Sequence, residues 1–365
     1  MDHGTMEKAK SGLKEYVFEK TGKRFKYITD EITNRIDYEI SIIEEKQLEN
    51  IFIMYSKIIE KCNERGILHG PGRGASAGSL VAYVLGITEI NPLEHVLLLE
   101  RFINPLRDLQ PDFDKDRIDE VVEISNELYG EQNCKKVTSH FLGLHALTKT
   151  KAVINEIKKN HNIKIDLNSI PLDDEKTLEL FRTADTNDIF LFESDGMKRN
   201  LTELYPDSFN DLVALSSLYR PGPMDYIPQF IENKKIRNKD YGIFSDYSEI
   251  LDETYGIIVY QEQFMQLITE ICGCSLDEAD NMRREIAKKR PESVMAMKDI
   301  FIEGAGQKGI SEEIAEDMFY ELLPFSVYSY NKSHSVAYTL IGWQQAYLKS
   351  HYPDEFEKVE EKNDL

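Results

Sequence analysis

The sequence predicts an α+β protein that is predominantly helical, and three observations support this fold class. Residues 47–65 place apolar side chains at three- and four-residue steps, which is the spacing of an amphipathic helix ended by Gly66. Residues 111–116 (PDFDKD), set off by prolines, indicate an extended strand. Beyond residue 170, helical patterns are separated by turn signals such as RPGP at 220–223. We therefore expect many helices and a minor strand component.

Further helix boundaries follow from local signals. Residues 117–129 have a helical pattern that Gly130 ends, and Ser275–Leu–Asp–Glu278 is a capping box that starts a helix carrying basic residues. The acidic last residues, 357–365, predict a frayed and solvated end.

Composition predicts a folded protein. With 365 residues, 41% hydrophobic and 30% charged, the chain is long enough for more than one packed domain. Its four cysteines show no CxxC spacing, which favours a reducing cytoplasm, and no apolar run has the length of a membrane span or signal peptide.

The net charge of −21 weighs against a general nucleic-acid binder, so any such binding must depend on local basic clusters. The candidate clusters are Lys234, Lys235, Arg237 and Lys239, and then Arg283, Arg284, Lys288, Lys289 and Arg290.

A glycine-rich loop, GPGRGASAGS at 70–79, precedes a predicted helix that ends at Gly86. Glycines permit close backbone approach, and hydroxyls at a helix N-terminus can hold a phosphate. Arg73 could add a bidentate contact, while Ser76 and Ser79 could donate hydrogen bonds. The alternative is a structural turn with a serine cap, and the loop alone does not decide between the two.

An acidic motif follows. If residues 111–116 are extended, Asp112, Asp114 and Asp116 lie on one face. Carboxylates at this spacing can bind Mg²⁺, and two such ions can clamp the attacking and leaving oxygens of a phosphoryl transfer. An exposed acidic strand or an Asx-rich turn is the alternative.

The motifs together are similar to those of the C-family bacterial replicative polymerases, the DNA polymerase III alpha subunits. The resemblance covers residues 35–130 and 137–356. It depends on the collinear series GPGRGxxAGSLVAY, LLxERFxNP, PDFDxD, FLGL, RPGPM, ETYGIIVYQEQ, RRxxxKKxPE and NKSHxxAY.

The resemblance implies a palm of polymerase-beta-like nucleotidyltransferase type joined to helical fingers. It implies an N-terminal helical segment at 1–65, a reduced palm at 66–145, fingers at 146–356 and an acidic tail at 357–365. Asp114 and Asp116 match two of three metal-binding aspartates, with Asp112 a further candidate for Mg²⁺. The palm loop that handles nucleotide phosphates corresponds to Gly72, Arg73, Gly74, Ser76, Gly78 and Ser79. Finger positions expected around the incoming dNTP are Arg220, Arg283, Arg284, Lys288, Lys289, Asn331, Lys332, Ser333 and His334.

The chain also departs from this family. The third aspartate, immediately before FLGL, is His140, and imidazole is a poor Mg²⁺ ligand. Residues 129–140 occupy the interval in which the family has a thumb, and twelve residues cannot form such a domain. We also expect the N-terminal phosphoesterase-like domain and the regions beyond the fingers to be absent.

Two functions remain open. One is template-directed transfer of dNMP from dNTP to a primer 3′-OH, impaired by these departures, with primer-template DNA as partner. The other is a degenerate polymerase that acts as a nucleotide-binding, DNA-binding or regulatory partner of replisome proteins. The resemblance implies a bacterial, phage or mobile-element origin.

Overall fold

The computed structural model describes residues 3–103, 109, 111–237 and 240–363. It is α+β and mostly helical, with one small two-stranded sheet, which confirms the predicted fold class. The chain forms two compact units. The first comprises the described residues within 1–102, 106–170 and 336–365; the second comprises Ile103 and those within 171–335.

The first unit contains most of the sequence before residue 170 and the C-terminal helices. Its elements are α1 (His3–Arg24), α2 (Asp30–Glu45), α3 (Glu49–Glu64), α4 (Leu80–Val84), α5 (Glu100–Ile103, whose last residue groups with the second unit), β1 (Asp112–Asp114), α6 (Ile118–Tyr129), α7 (Glu131–Thr138), β2 (Leu142–Leu144) and α8 (His145–His161).

The described part of the second unit consists of helices and connecting segments, with one isolated parallel β-bridge between Tyr260 and Tyr330. The α-helices are α9 (Glu175–Arg182), α10 (Asp195–Leu204), α11 (Phe209–Leu218), α12 (Ile227–Ile236), α13 (Ser248–Leu251), α14 (Gln261–Cys272), α15 (Leu276–Ala287), α16 (Pro291–Gln307), α17 (Glu312–Leu322) and α18 (Phe325–Tyr328). Helix α19 (Lys332–His351) begins in this unit and continues in the first, which α20 (Pro353–Asn363) completes.

The sheet places the acidic motif in the core of the first unit. Strand β1 pairs in parallel with β2, with Asp112 opposite Leu142 and Asp114 opposite Leu144. On its other side β1 pairs with the segment before the glycine loop through an antiparallel bridge between His69 and Phe113. Phe113 is fully buried, and its ring packs edge-on against Phe141 with centroids 5.1 Å apart.

Locally encoded helices agree with the sequence. Helix α3 ends before Gly66, whose φ of +70° suits a residue without a side chain, and α6 ends before Gly130 at φ +80°. The predicted capping box at the start of α15 is present, because Ser275 and Glu278 bond each other's backbone N–H groups.

Two expectations are corrected. The extended segment covers only 112–114, because residues 115–117 form a 3-10 turn that takes Asp116 out of the strand. The end of the chain is helical through Asn363 rather than frayed from 357. Val359 of α20 is buried, and Lys358 pairs with Glu156 of α8 at 2.5 Å. Of the helices in the described ranges, none is both long and apolar enough to cross a membrane.

Candidate active site

The glycine loop starts directly from the sheet. The Gly70 N–H donates to the Asp112 carbonyl at 2.8 Å, so the loop and the acidic motif are adjacent. Gly72 has φ +140°, and a Cβ there would lie 3.3 Å from Thr88 Cγ2, so glycine is favoured for both backbone and packing reasons. Gly74, at φ +62°, also adopts the left-handed region.

The helix start that follows the loop is already occupied by a carboxylate of the protein. Glu39, fully buried on α2, accepts hydrogen bonds from the Ser79 hydroxyl at 2.7 Å and from the N–H groups of Leu80 and Val81 at 2.8 and 3.0 Å. Arg35 Nε compensates the charge at 2.7 Å. A phosphate at this helix start would compete with a buried ion pair.

The other polar groups of the loop also bond within the protein. The Ser76 hydroxyl donates to the Arg73 carbonyl at 2.8 Å, and Ser79 caps α4 by accepting from the Ala82 N–H at 3.1 Å. The Gly78 carbonyl accepts from Arg35 Nη2 at 2.9 Å. These bonds are those of a structural turn with a serine cap, and phosphate binding by the loop stays a prediction.

Asp112 is buried beside Arg73 and Tyr338. Its Oδ2 accepts from the Tyr338 hydroxyl at 3.0 Å, and its Oδ1 lies 3.5 Å from Arg73 Nε. Burial raises the pKa of Asp112 to about 6, although Arg73 and the Tyr338 hydrogen bond act to lower it. This carboxylate is held by side chains from the loop and from α19.

Asp114 is also held by protein groups. Its Oδ1 accepts from the Thr148 hydroxyl of α8 at 2.7 Å and from the Asp116 N–H at 3.1 Å. The Thr148 oxygen in turn accepts from the Lys115 N–H at 3.1 Å. The bond from the Asp116 N–H is an Asx-type turn, which ends β1 at this point.

Asp116 differs from the two buried aspartates. Its side chain is exposed, and within the described part of the chain its carboxylate has no hydrogen-bond or ion-pair partner. The neighbouring Lys115 ammonium lies 2.6 Å from His145 Nε2, to which it donates. Asp116 is thus free to meet a cation, but it is not aligned on a strand with Asp114.

His140 lies apart from the aspartates in the sheet register. Asp114 pairs with Leu144, and His140 is four residues earlier, in the turn after α7, where its N–H donates to the Val137 carbonyl at 3.1 Å. In the described ranges no three His, Cys, Asp or Glu side chains are grouped so that they could hold a metal ion. The side chains here do not fit a two-metal centre, because the hydrogen bonds from Tyr338 and Thr148 use one oxygen each of Asp112 and Asp114 and no third carboxylate is grouped with them in the described ranges.

The remaining candidate residues belong to the second unit, and several of them are buried and bonded within the protein. Lys332 is 4% exposed, and its Nζ binds both oxygens of Glu253 at 2.7 and 2.8 Å. Arg283 is buried against Asp280 at 2.8 Å. Ser333 is fully buried, and Asn331 Oδ1 accepts from the His334 N–H.

Other cations of the second unit are accessible. Lys288 and Lys289 are exposed at the end of α15, and Lys288 pairs with Glu285 of the same helix. Arg284 bonds Asp280 at 3.2 Å and is partly exposed. Arg220 stacks over the Tyr330 ring at 4.4 Å and donates to the Tyr328 carbonyl. The His334 ring also packs against the Tyr330 ring.

The first basic cluster is only partly at the surface, because Lys235 and Arg237 are exposed while Lys234 is not. Lys234 is buried, and its Nζ donates to the Tyr205 carbonyl at 2.7 Å and to Asp207 at 2.9 Å. Lys239 lies outside the described residues. The end of α15, where Lys288, Lys289 and Arg290 are all exposed, is the other candidate for binding polyanions.

Sequence reasoning missed the residues that hold the site together. Glu39 and Arg35 have the i, i+4 spacing of a helical ion pair, which is visible in the sequence. That spacing does not show that Glu39 also bonds Ser79 and the start of α4. Nothing in the sequence marks Thr148 or Tyr338 as partners of the aspartates.

Comparison with known proteins places two domains on the chain. The family model for the bacterial DNA polymerase III alpha NTPase domain matches residues 7–181, and that for the alpha subunit finger domain matches residues 146–309. These matches agree with the palm remnant and fingers expected from the motifs.

Curated relatives give the same picture. DNA polymerase III subunit alpha of Bacillus subtilis is 32% identical over 455 residues, covering 90% of this chain and 41% of the relative. The subunit of Borreliella burgdorferi is 32% identical, and the match covers 94% of this chain and 41% of the relative. The subunit of Thermus aquaticus is 30% identical, and the match covers 97% of this chain and 40% of the relative.

The chain spans about two fifths of the length of the curated relatives it matches. The alignment with the Bacillus subtilis protein is longer than the whole of this chain, although it uses 90% of it. The relative therefore contains residues within the aligned region that have no counterpart here.

Proposed function

Because the chain belongs to the family of bacterial DNA polymerase III alpha subunits, we propose that it is a catalytically degenerate polymerase core that binds nucleotide or DNA without efficient synthesis. A cytoplasmic location and a role beside replisome proteins are part of this proposal.

The observation that carries the proposal is the environment of Asp114. Its Oδ1 already accepts from Thr148 and from the Asp116 N–H, and Asp112 is held by Arg73 and Tyr338. In a complete site Mg²⁺ would neutralise charge on the triphosphate and clamp the reacting oxygens. Rotating either carboxylate to meet such ions would break a hydrogen bond to Asp112 Oδ2 or Asp114 Oδ1, which costs on the order of 1 kcal/mol or more.

The retained binding capacity is assigned to the second unit. Lys288 and Lys289 are exposed, and Arg220 presents a guanidinium stacked on Tyr330. Such groups suit phosphates and stacked bases. In a chain of net charge −21, binding should be weak and strongly salt-dependent.

A second candidate function is slow template-directed DNA synthesis. It is favoured by Asp116, which follows Asp114 by two residues and whose exposed carboxylate could bind a cation. In this case the carboxylates of Asp112 and Asp114 would reorient when dNTP and primer-template DNA bind.

Primer extension separates the two functions. The wild-type chain, His140→Asp and the double variant Asp114→Asn/Asp116→Asn are incubated with primer-template DNA, dNTPs and either Mg²⁺ or Mn²⁺. We expect no extension above the double variant in either metal. Wild-type extension that the double variant loses would refute the degenerate function, and extension gained only by His140→Asp would show a site lacking one carboxylate.

DNA binding tests the retained capacity independently of chemistry. Fluorescence anisotropy with labelled primer-template DNA compares wild type with Lys288→Ala/Lys289→Ala, and with Lys158→Ala/Lys159→Ala on α8 as a control of equal charge. We expect weaker binding for the first variant and a salt dependence reduced by about 2 in the logarithmic slope. Equal effects of both variants would indicate only a general charge effect.

A further inference from the structure

A cavity of about 510 Å³ in the first unit is lined by none of Asp112, Asp114 and Asp116 and by none of the loop glycines 72–78. Its walls come from the segment before the glycine loop, from α8 and from the loop after it. The lining residues used below are His69, Glu89, Lys151, Ile154, Lys164 and Ile165. This volume lies within the roughly 300–1,000 Å³ typical of small-ligand sites.

Two lysines give the cavity its charge. The Lys151 ammonium lies close to Gly66 at the end of α3, since a Cβ on Gly66 would be 3.9 Å from Lys151 Nζ. Lys164 is exposed on the loop after α8. Neither lysine has an acidic partner among residues the structure describes. The lining also contains the exposed Asp166, whose Oδ1 accepts from the Asn168 N–H at 3.1 Å, so that, Glu89 apart, the cavity has two ammonium groups and one carboxylate.

The inner wall is polar but electrically compensated. The Glu89 carboxylate accepts from Arg24 at 2.6 and 3.1 Å and from Asn168 at 2.9 Å, and His69 Nε2 lies 3.3 Å away. Burial alone would raise the pKa of Glu89, but His69 and Arg24 beside it lower it to about 2. Its negative charge is thus already balanced and leaves the lysines available for another anion.

His69 adds an unused polar group. Its side chain is 7% exposed, and its Nδ1 has no hydrogen-bond partner within the described ranges. Buried polar atoms are normally bonded, so an atom of this kind in a cavity wall points to a ligand or water. When the ring is protonated, Nδ1–H can donate to an anion; when it is neutral, Nδ1 can accept from a ligand hydroxyl.

We propose that this cavity binds a phosphate monoester of about mononucleotide size. Lys151 and Lys164 at the rim meet the phosphate, since lysine binds phosphate as a point charge. The apolar side chains of Ile154 and Ile165 contact the organic part. The inference does not depend on the proposed function, because the acidic motif and the second unit contribute nothing to this lining.

Isothermal titration calorimetry on the full chain tests the proposal, with thymidine 5′-monophosphate as probe at low salt. The cavity variant is Lys151→Met/Lys164→Met, which keeps the alkyl chains, and the matched control is Lys158→Met/Lys159→Met, with two exposed lysines of α8 outside the lining. We expect wild type and control to bind alike and the cavity variant to bind at least about tenfold more weakly.

Three results would overturn the proposal. The first is no binding of the monophosphate by wild type, and the second is equal binding by the cavity variant. The third comes from the ligand series: thymidine binding as tightly would exclude recognition of the phosphate, and inorganic phosphate binding as tightly would exclude recognition of the organic part. Matching thermal unfolding of the variants establishes that they are folded.

Discussion

The buried carboxylate of Glu39 accepts a hydrogen bond from the Ser79 hydroxyl at 2.7 Å, across 40 residues of sequence. It also bonds two backbone N–H groups at the start of α4 and pairs with Arg35. This carboxylate stabilises the turn between the glycine loop and α4, at the helix start where a phosphate was one of the two alternatives that the sequence left open.

Replacing this carboxylate should therefore destabilise the first unit. Glu39→Gln leaves the partly buried Arg35 without its charged partner and weakens the bonds that the fully buried carboxylate accepts, and we expect the free energy of unfolding to fall by about 3 kcal/mol. Urea unfolding of the full chain measures the change. The exposed Glu31→Gln on the same helix is the control, with an expected change within about 0.5 kcal/mol. Equal stability of the two variants would show that Glu39 does not stabilise the turn.

Asp112 should make stability depend on pH. Its folded pKa of about 6 exceeds the unfolded value of about 3.9, so the folded state binds the proton more readily. The stability from this group is fully present below about pH 4 and is lost as the pH rises through about 6.

Asp112→Asn should abolish this pH-dependent loss of stability, because the asparagine amide does not titrate. We expect the free energy of unfolding of the variant, relative to wild type, to increase by roughly 2 to 3 kcal/mol between pH 4 and pH 7. Chemical denaturation at a series of pH values measures it. Tyr338→Phe, which removes a hydrogen bond that lowers the Asp112 pKa, should shift the wild-type loss to higher pH. A difference that is flat with pH would contradict the assignment.

Lys332 should act on stability more than on nucleotide binding. Because its ammonium is buried on Glu253, Lys332→Met should lower the free energy of unfolding by about 1 to 2 kcal/mol. A double-mutant cycle with Glu253→Gln should give a coupling energy of about 1 kcal/mol. If Lys332→Met left the stability unchanged but abolished dNTP binding, Lys332 would be a residue of the nucleotide site.

The sequence predicts what local signals encode. Helices α3 and α6 and the start of α15 follow from side-chain spacing, glycine stops and a capping box within a few residues. The family was also recognisable, because its motifs are short, ordered and specific.

The state of the candidate site depends on distant partners and could not be read in this way. Tyr338 reaches Asp112 across 226 residues, and Thr148 reaches Asp114 across 34. The alternating pattern of residues 111–116 also did not indicate the Asx-type bond from the Asp116 N–H to Asp114, which ends the strand early. Periodicity reports the face of an element, but it does not report which polar groups already satisfy one another.

The most direct test of the account is Mn²⁺ binding, followed by electron paramagnetic resonance as Mn²⁺ is titrated into the full chain with dNTP present. Wild type is compared with Asp114→Asn/Asp116→Asn, so that weak binding to other acidic residues cancels. We expect the same free Mn²⁺ signal for both proteins, because Asp112 and Asp114 are held by Arg73, Tyr338 and Thr148. One or two Mn²⁺ ions bound by wild type and lost in the variant would contradict it.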